Sequence, residues 1–369
     1  MVKPRIVVAT GVFSPDIGGP AKFAEAFSGW LGRNKISSGI LTLTDGSDYV
    51  LEKQYQKRFA ISRQRNLISR MMRTVHRALL LSNDSIFLVN GLFIEFSLLS
   101  MIKKVDYVAK VPGDIVWERA TNQGNTSLSV IDYQGNEDLG KKVMRFLFAR
   151  VLKRASRVIV PSMLLKEIVA GWGVAKDKIT IMPNSVDLQI HSKQKTPKKE
   201  YDLITVGRLI PLKGVHELIE VSHTLGLRLA IVGSGPEESS LRNLSERLSS
   251  RVEFLRELEP SDVATALSKS RFFVLNSSHE GSPHSLIEAM ASRLVVLARE
   301  NSGTSEIINH KQNGFLYRSK EELVELLKSL VNGSQENQLI ADTAFQDVLQ
   351  KYNQETNFKS IYQVLIHTI

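Results

Sequence analysis

The sequence predicts an α/β protein of two doubly wound, Rossmann-like domains with parallel sheets. Its 369 residues are about twice a common domain length, so each half can bury its own core. Short runs rich in Val, Ile and Leu alternate with helical patterns, and continuous apolar strands of this kind belong to sheets covered on both faces. The pattern then restarts after a polar, basic, proline-containing segment at residues 189–200.

The elements justify this reading in order. RIVVATGV, ISSGILTL, SIFLVN, DYVAKV, SRVIVP and KITIMP supply strands of a first domain spanning residues 1–190. QIHSKQKTPKKE lacks apolar periodicity and is read as the hinge. YDLITVG, LRLAIVG, RVEFL, RFFVLN and RLVVLA supply strands of a second domain spanning residues 197–354. The tail from Gln335 reads as one or two amphipathic helices, and the last, about 355–369, is expected to pack back onto the first domain. Ligands of open parallel sheets bind beyond the carboxyl ends of the strands, so chemistry is sought in the loops that follow each run.

Composition narrows the classes. The absence of cysteine excludes a disulfide framework, a thiolate metal site and a cysteine nucleophile. No run reaches the roughly 18 uninterrupted apolar residues of a spanning helix, and the apolar start is too short for a signal peptide. A cytoplasmic address is expected. Residues 1–196 hold 29 Lys and Arg against 16 Asp and Glu (+13), and the remainder hold 19 against 22 (−3). The basic first half suggests an anionic partner. Residues 57–81 place Arg63, Arg70, Arg73 and Arg77 among Leu67, Ile68, Met71, Met72 and Val75. Such a cationic amphipathic pattern suits peripheral contact with an anionic membrane surface, on the inner face of the cell membrane. The alternative is a packed helix with a solvated cationic face. Nucleic acid is not expected, because the stretch has no aromatic interleaving.

The strongest motif is EGSPHSLIEAM at residues 280–290, after the run RFFVLN. Ser282 and Pro283 suit a helix cap and first turn, and the amides that follow, from His284 and Ser285 onward, suit a phosphate. Gly281 leaves room for close approach of a ligand. Carboxylates accept hydrogen bonds from vicinal hydroxyls, so Glu280 and Glu288 can hold two sugars on either side of a diphosphate. An isolated pair is equally a surface Glu and a helix Glu. In VGRLIPLKG, residues 206–214, Arg208 can grip a phosphate with two parallel hydrogen bonds and Lys213 adds a point charge. Alone, both are ordinary solvated charges. In VGSGPEES, residues 232–239, Gly233 and Gly235 lack the third glycine of a dinucleotide loop and read as a tight turn. In the first domain, FSPDIGGPAKFAEAF has Gly18 and Gly19 before Pro20, which suits a loop and helix start near phosphate.

These strings, in this order, resemble the retaining glycosyltransferases of the family 4 type. Glu280, seven residues, Glu288 and then Ala289-Met290 match the family signature, and VGRLIPLKG resembles its diphosphate-binding loop. MPNSVD, residues 182–187, is similar to the segment that ends the family's first domain, with Ser185 in place of glycine and Asn184 suited to a left-handed turn. NSGTSEIINHKQNGF resembles the final donor-side loop, with Glu306 and Asn313-Gly314 matching and Gly303 left of a glycine pair. At Arg256 the family often has glycine.

The resemblance implies a GT-B fold whose two sheets face a central cleft. It implies transfer of a sugar from a nucleoside diphosphate sugar to an acceptor hydroxyl with retention. The acceptor is expected to be a glycan or lipid-linked glycan of cell-surface polysaccharide synthesis. By the same resemblance Glu280 contacts the donor sugar, Glu288 the ribose, and Arg208 and Lys213 the leaving diphosphate. Gly18, Gly19, Gly233, Gly235, Gly281, His284, Ser285 and Glu306 then line the donor, and Asp114 in VPGDIVWER stands nearest to the acidic or histidine residue beside the reacting centre. An Asp before an apolar run equally caps a turn. No Asp-x-Asp pair is present, so neither a metal nor another cofactor is expected. A hydrolase using Glu280 and Glu288 is disfavoured, because eight helical residues span about 12 Å, beyond the separation of paired catalytic carboxylates. An epimerase on the same fold and a non-catalytic nucleotide-sugar or anionic-polymer binder stay as alternatives.

Overall fold

The computed structural model describes residues 5–14, 16, 19–122, 126, 129–192, 198–331, 333 and 335–367. It divides into two compact units, Met1–Met182 with Phe358–Ile369, and Pro183–Asn357.

The first unit is built on β1 (Ile6–Ala9), β2 (Ser38–Thr44), β3 (Tyr49–Lys53), β4 (Gln56–Ser62), β5 (Ile86–Val89), β6 (Tyr107–Lys110), β7 (Arg157–Val160) and β8 (Ile179–Ile181). Their order is β3-β4-β2-β1-β5-β6-β7-β8. Only β3 and β4 pair antiparallel. The six apolar runs are six of these strands, and β1, β5 and β6 are buried along their whole length, as parallel strands covered on both faces must be. The β3–β4 hairpin corrects the reading of residues 57–81: its first residues form β4, and the helix begins only at Leu67. Asn66 caps that helix by accepting a hydrogen bond from the Ser69 amide.

The helix Gly19–Arg33 turns Phe27, Trp30 and Leu31 into the core. Phe358, Ile361 and Leu365, spaced along one face of the C-terminal helix Gln354–Ile366, are buried with them, and Phe358 meets the Phe23, Phe27 and Trp30 rings edge-on. The tail thus forms two helices, Gln335–Lys351 and Gln354–Ile366, and its end belongs to the first unit.

The second unit carries β9 (Tyr201–Val206), β10 (Leu229–Val232), β11 (Val252–Arg256), β12 (Ser270–Leu275), β13 (Val295–Arg299) and β14 (Phe315–Tyr317), ordered β11-β10-β9-β12-β13-β14 and parallel throughout. Its division from the first unit falls at Met182, ahead of the expected residues 189–200. Val186 is buried in the second core and its amide donates to the Tyr352 carbonyl at 2.9 Å. Of residues 189–200, the first belong to the short helix Leu188–Ser192 and 193–197 lie outside the described residues, whereas the boundary lies in MPNSVD. Asn184 is not among the residues with positive φ. Its side-chain amide instead donates to the Ser282 carbonyl at 2.8 Å.

Candidate functional site

In the second sheet the chain runs outward from β9 to β10 and β11 on one side and from β12 to β13 and β14 on the other. The loops after β9 and β12 therefore diverge, and this reversal of strand order is where open α/β sheets bind ligands. Lys213, from the loop after β9, and Glu280, from the loop after β12, meet there as an ion pair at 2.5 Å. Both are mostly withdrawn from solvent, with side chains 24% and 10% exposed.

The sequence around each partner explains why they meet. Pro211–Lys213 forms one 3-10 turn that ends at Gly214, whose φ of +58° is the left-handed conformation open to glycine. A Cβ there would come within 2.9 Å of the Asn276 carbonyl. The Ser278 amide donates to the Leu212 carbonyl at 2.9 Å, which ties the second loop to the first. Buried Asn276 then closes a network: its amide donates to the Gly214 carbonyl (2.8 Å) and to Glu217 (3.0 Å), and its oxygen accepts from Tyr317 (2.8 Å) and Arg299 (3.0 Å). Arg299 also pairs with Glu217. With every partner satisfied, such a network holds the ends of β12, β13 and β14 in one arrangement. None of these four residues was singled out from sequence, because a network spread over three strands has no spacing; the available signal was a polar residue ending the run RFFVLN.

Glycines set the height of the loops. Gly233 has φ +132°, and a Cβ on it would lie 2.0 Å from the Gly207 carbonyl oxygen. A Cβ on Gly235 would lie 2.3 Å from the Leu209 oxygen. The Leu209 amide donates to the Ser234 carbonyl at 2.8 Å, so the turn read from VGSGP supports the loop after β9 that presents Arg208. Arg208 itself is exposed, and its side chain has no hydrogen bond or ion pair among the described residues. Gly303 underlies the other side: a Cβ would lie 2.2 Å from the Glu280 carbonyl oxygen. Gly281 differs, since a Cβ there would meet nothing within 4 Å. Arg256 has φ +53°, which accounts physically for the glycine that the resembling family has at this point.

The helix His284–Ala291 starts one residue later than expected. Pro283, not Ser282, is its N-cap, and it makes no side-chain capping bond. The first-turn amides, which have no partner within a helix, thus receive no side-chain oxygen from the cap. His284 and Ser285 are its first two residues, and Glu288 lies half-buried in its second turn. Only residues 284–288 of the interval from Glu280 are helical, so the 12 Å estimate for the carboxylates does not hold. His279 beside the pair is held below the usual imidazole range by burial, with Lys213 adding to the effect and Glu280 opposing it. Glu306 is exposed at the end of the short helix Ser302–Ser305, and its charge raises the Tyr352 phenol after burial and Asp347.

In the first unit the expected residues fare differently. Gly18 lies outside the described residues. Gly19 is the first residue of its helix, and a Cβ there would meet nothing within 4 Å. At Asp114 the contacts are those of the capping alternative. One carboxylate oxygen accepts from the Val116 and Trp117 amides at 3.1 and 3.2 Å, and the other accepts from Gln134 at 2.9 Å and Arg145 at 3.0 Å. Its side chain is wholly buried. Asp114 is the cap and charge anchor of the helix Ile115–Asn122 and has no free edge for an incoming hydroxyl. Lys110 lies inside the run DYVAKV, where no local pattern marks it: burial lowers its ammonium to about 8, and it sits 4.3 Å from the Phe23 ring centroid.

Residues 187–347 match the family described as glycosyl transferases group 1, and residues 129–190 match glycosyltransferase family 4. An uncharacterized glycosyltransferase of Haemophilus influenzae is 36% identical over 140 residues, 35% of this chain and 39% of that protein. The O-antigen chain mannosyltransferase RfbU of Salmonella typhimurium is 28% identical over 204 residues, 52% of this chain and 56% of that protein. The matched stretches thus span about two-fifths to just over half of these relatives. HepE of Anabaena, solved in complex with UDP and glucose, has a TM-score of 0.77 at 18% identity, over 98% of this chain and 99% of that one. The two family matches adjoin and run from residue 129 to 347, across the crevice that Lys213 and Glu280 bridge, in a fold shared with that structure; the chain belongs to the GT-B glycosyltransferases of the group 1 and family 4 type.

Proposed function

We propose that the chain transfers a sugar from a nucleoside diphosphate sugar to an acceptor hydroxyl with retention of configuration. The observation that carries this reading is the Lys213–Glu280 pair at the strand-order reversal, beside an exposed Arg208 and a helix start that lacks a side-chain cap. Charge develops on the departing diphosphate, and cations and amides fixed in place beforehand stabilise it without reorganising. Donor binding exchanges partners: Lys213 turns from Glu280 to phosphate, and the freed Glu280 accepts hydrogen bonds from sugar hydroxyls. The open space in front of Gly281 admits the sugar. Glu288 takes the ribose. The leaving phosphate assists deprotonation of the acceptor on the same face, so the chain supplies no nucleophile, and Asp114 has no chemical part.

The donor class draws support from HepE, whose structure holds UDP and glucose, and the acceptor class from RfbU, an O-antigen chain mannosyltransferase. A lipid-linked glycan at the inner face of the cell membrane is the proposed acceptor. The test incubates the protein with a panel of UDP- and GDP-sugars and a cell-envelope lipid extract. Extract-dependent release of nucleotide is expected, falling by about 10²- to 10³-fold in Glu280→Ala and Lys213→Ala. Donor binding without release in any combination would favour a binding protein, and release independent of extract with an altered sugar would favour an epimerase.

A further inference from the structure

Right-handed crossovers place the helices Leu67–Leu81, Phe93–Ile102, Leu139–Arg154 and Met163–Gly171 on one face of the first sheet, opposite Gly19–Arg33. Leu139–Arg154 is capped by Asp138, whose carboxylate accepts from the Lys141 amide, and buries Phe148, Ala149, Val151 and Leu152. Its outer side is also apolar. Leu139, Val143 and Phe146 are 79%, 53% and 66% exposed, and their i, i+4, i+7 spacing makes one stripe. Beside the stripe runs a groove of about 730 Å³, lined by Phe146, Ile168 and Trp172 with Lys142 and Lys153, and by Glu137 and Glu167, whose carboxylates pair with Arg145 and Lys176. Neither lysine has an ion pair among the described residues.

The helix Leu67–Leu81 offers the instructive contrast. It exposes Ile68 and Met72, yet several of the cations around it are engaged within the unit. Arg63 pairs with Asp16 and Asp45, Arg65 and Arg73 pair with Asp48, and Arg77 lies over the Phe59 ring. In the stretch first read from the sequence, Lys57, Arg63, Arg65 and Arg73 are therefore held by carboxylates of the same unit. The stripe on Leu139–Arg154 keeps its charge.

We infer that Leu139–Arg154 and its groove dock the first unit on an anionic phospholipid surface. Leu139, Val143 and Phe146 enter the acyl boundary, Lys142 and Lys153 meet headgroup phosphates, and one acyl chain occupies the groove against Trp172. Apolar burial and the attraction of unpaired lysines for anionic lipid reinforce each other, and the +13 balance of residues 1–196 draws the unit to the same surface. This deepens the membrane placement proposed above, and its test involves no sugar transfer, so the two can fail separately.

The full chain is sedimented with vesicles of phosphatidylcholine alone or with phosphatidylglycerol added, at low and high salt. Binding is expected only to the anionic vesicles, weakened by salt. Val143→Ser/Phe146→Ser and Lys142→Glu/Lys153→Glu are each expected to weaken it by about tenfold or more, while Ile68→Ser/Met72→Ser keeps it within about twofold. All six positions are exposed, and unchanged circular dichroism confirms folding of the variants. Lipids brominated along the chain are expected to quench fluorescence in the wild type and much less in Trp172→Phe. No sedimentation with anionic vesicles, equal loss from both apolar pairs, or undiminished quenching in Trp172→Phe would overturn the inference. So would a dimer in sedimentation equilibrium that Val143→Ser/Phe146→Ser dissociates without any vesicle binding, since the stripe would then face a second copy.

Discussion

The two units have the same kind of strand-order reversal and fill it in opposite ways. In the second, the loops after β9 and β12 are bridged by side chains of opposite charge, Lys213 and Glu280, standing on glycines that allow no side chain beneath them. In the first, β1 and β5 flank the reversal, and a Cβ on Gly91 after β5 would lie 2.7 Å from the Gly11 amide nitrogen after β1. Backbone meets backbone there, and Asn90 donates to the Pro20 carbonyl at 3.0 Å while its own oxygen is buried without a partner among the described residues. One reversal is held open by a pair that a ligand can divide. The other is closed by contacts that a ligand cannot replace at low cost. The glycines and carboxylates of the two halves therefore carry different meanings even where their motifs look alike.

The largest expected effect tests that difference directly. All three tryptophans, Trp30, Trp117 and Trp172, lie in the first unit, so tryptophan fluorescence follows its unfolding while circular dichroism follows both units. Gly233→Ala puts a methyl 2.0 Å from the Gly207 oxygen at a φ that disfavours side chains. A loss of at least about 3 kcal/mol is expected in the dichroism transition, with the fluorescence transition unmoved. Gly19→Ala, with open space at a helix start, should leave both within about 1 kcal/mol, on the stabilising side. Similar losses from the two substitutions would erase the contrast.

Asp114→Asn is expected to come next. It keeps an oxygen for the Val116 and Trp117 amides but removes one of the two buried carboxylates that face Arg145, Asp114 at 3.0 Å, and leaves Glu137 as the other. A loss of about 2 kcal/mol is expected, since Glu137 still faces Arg145, this time in the fluorescence transition, with nucleotide release per folded molecule unchanged. A hundredfold fall in release with an unmoved transition would return Asp114 to the chemistry.

Much of this was legible in the sequence, for reasons tied to burial. Strands such as Ile6–Ala9 and Leu229–Val232 are buried on every residue, so hydrophobicity alone marks them. Tyr49–Lys53 is an edge strand exposed along nearly all its length and carries no such mark, and Phe315–Tyr317 is only three residues long. The crevice was legible through Glu280 and Lys213 because the local strings around them have to satisfy glycine packing as well as charge. At Asp114 the sequence leaves two readings, because a buried cap and a catalytic carboxylate leave the same residue at a strand's end. Only the partners distinguish them, and Arg145 lies 31 residues away. The network on Asn276 gathers groups from positions 217, 276, 299 and 317, a separation at which no local pattern survives.

The smallest expected effect concerns pH and the second unit alone. Burial lowers the His191 imidazole to about 4, partly opposed by Asp187, and the ring shares a hydrogen bond with Ser292 at 2.8 Å. The unfolded ring titrates near 6.5, so below that pH the unfolded chain takes up a proton that the folded one refuses. The stabilisation is complete above about pH 6.5 and is lost as pH falls toward the folded value. His279, lowered mainly by burial, acts in the same direction. Between pH 7.5 and 5.0, His191 should account for about 1 to 2 kcal/mol, allowing for its partial exposure. Urea titrations followed by circular dichroism should show the wild type losing that much more than His191→Gln over the same interval. Equal losses would mean that the ring takes its proton in the folded unit as readily as in water.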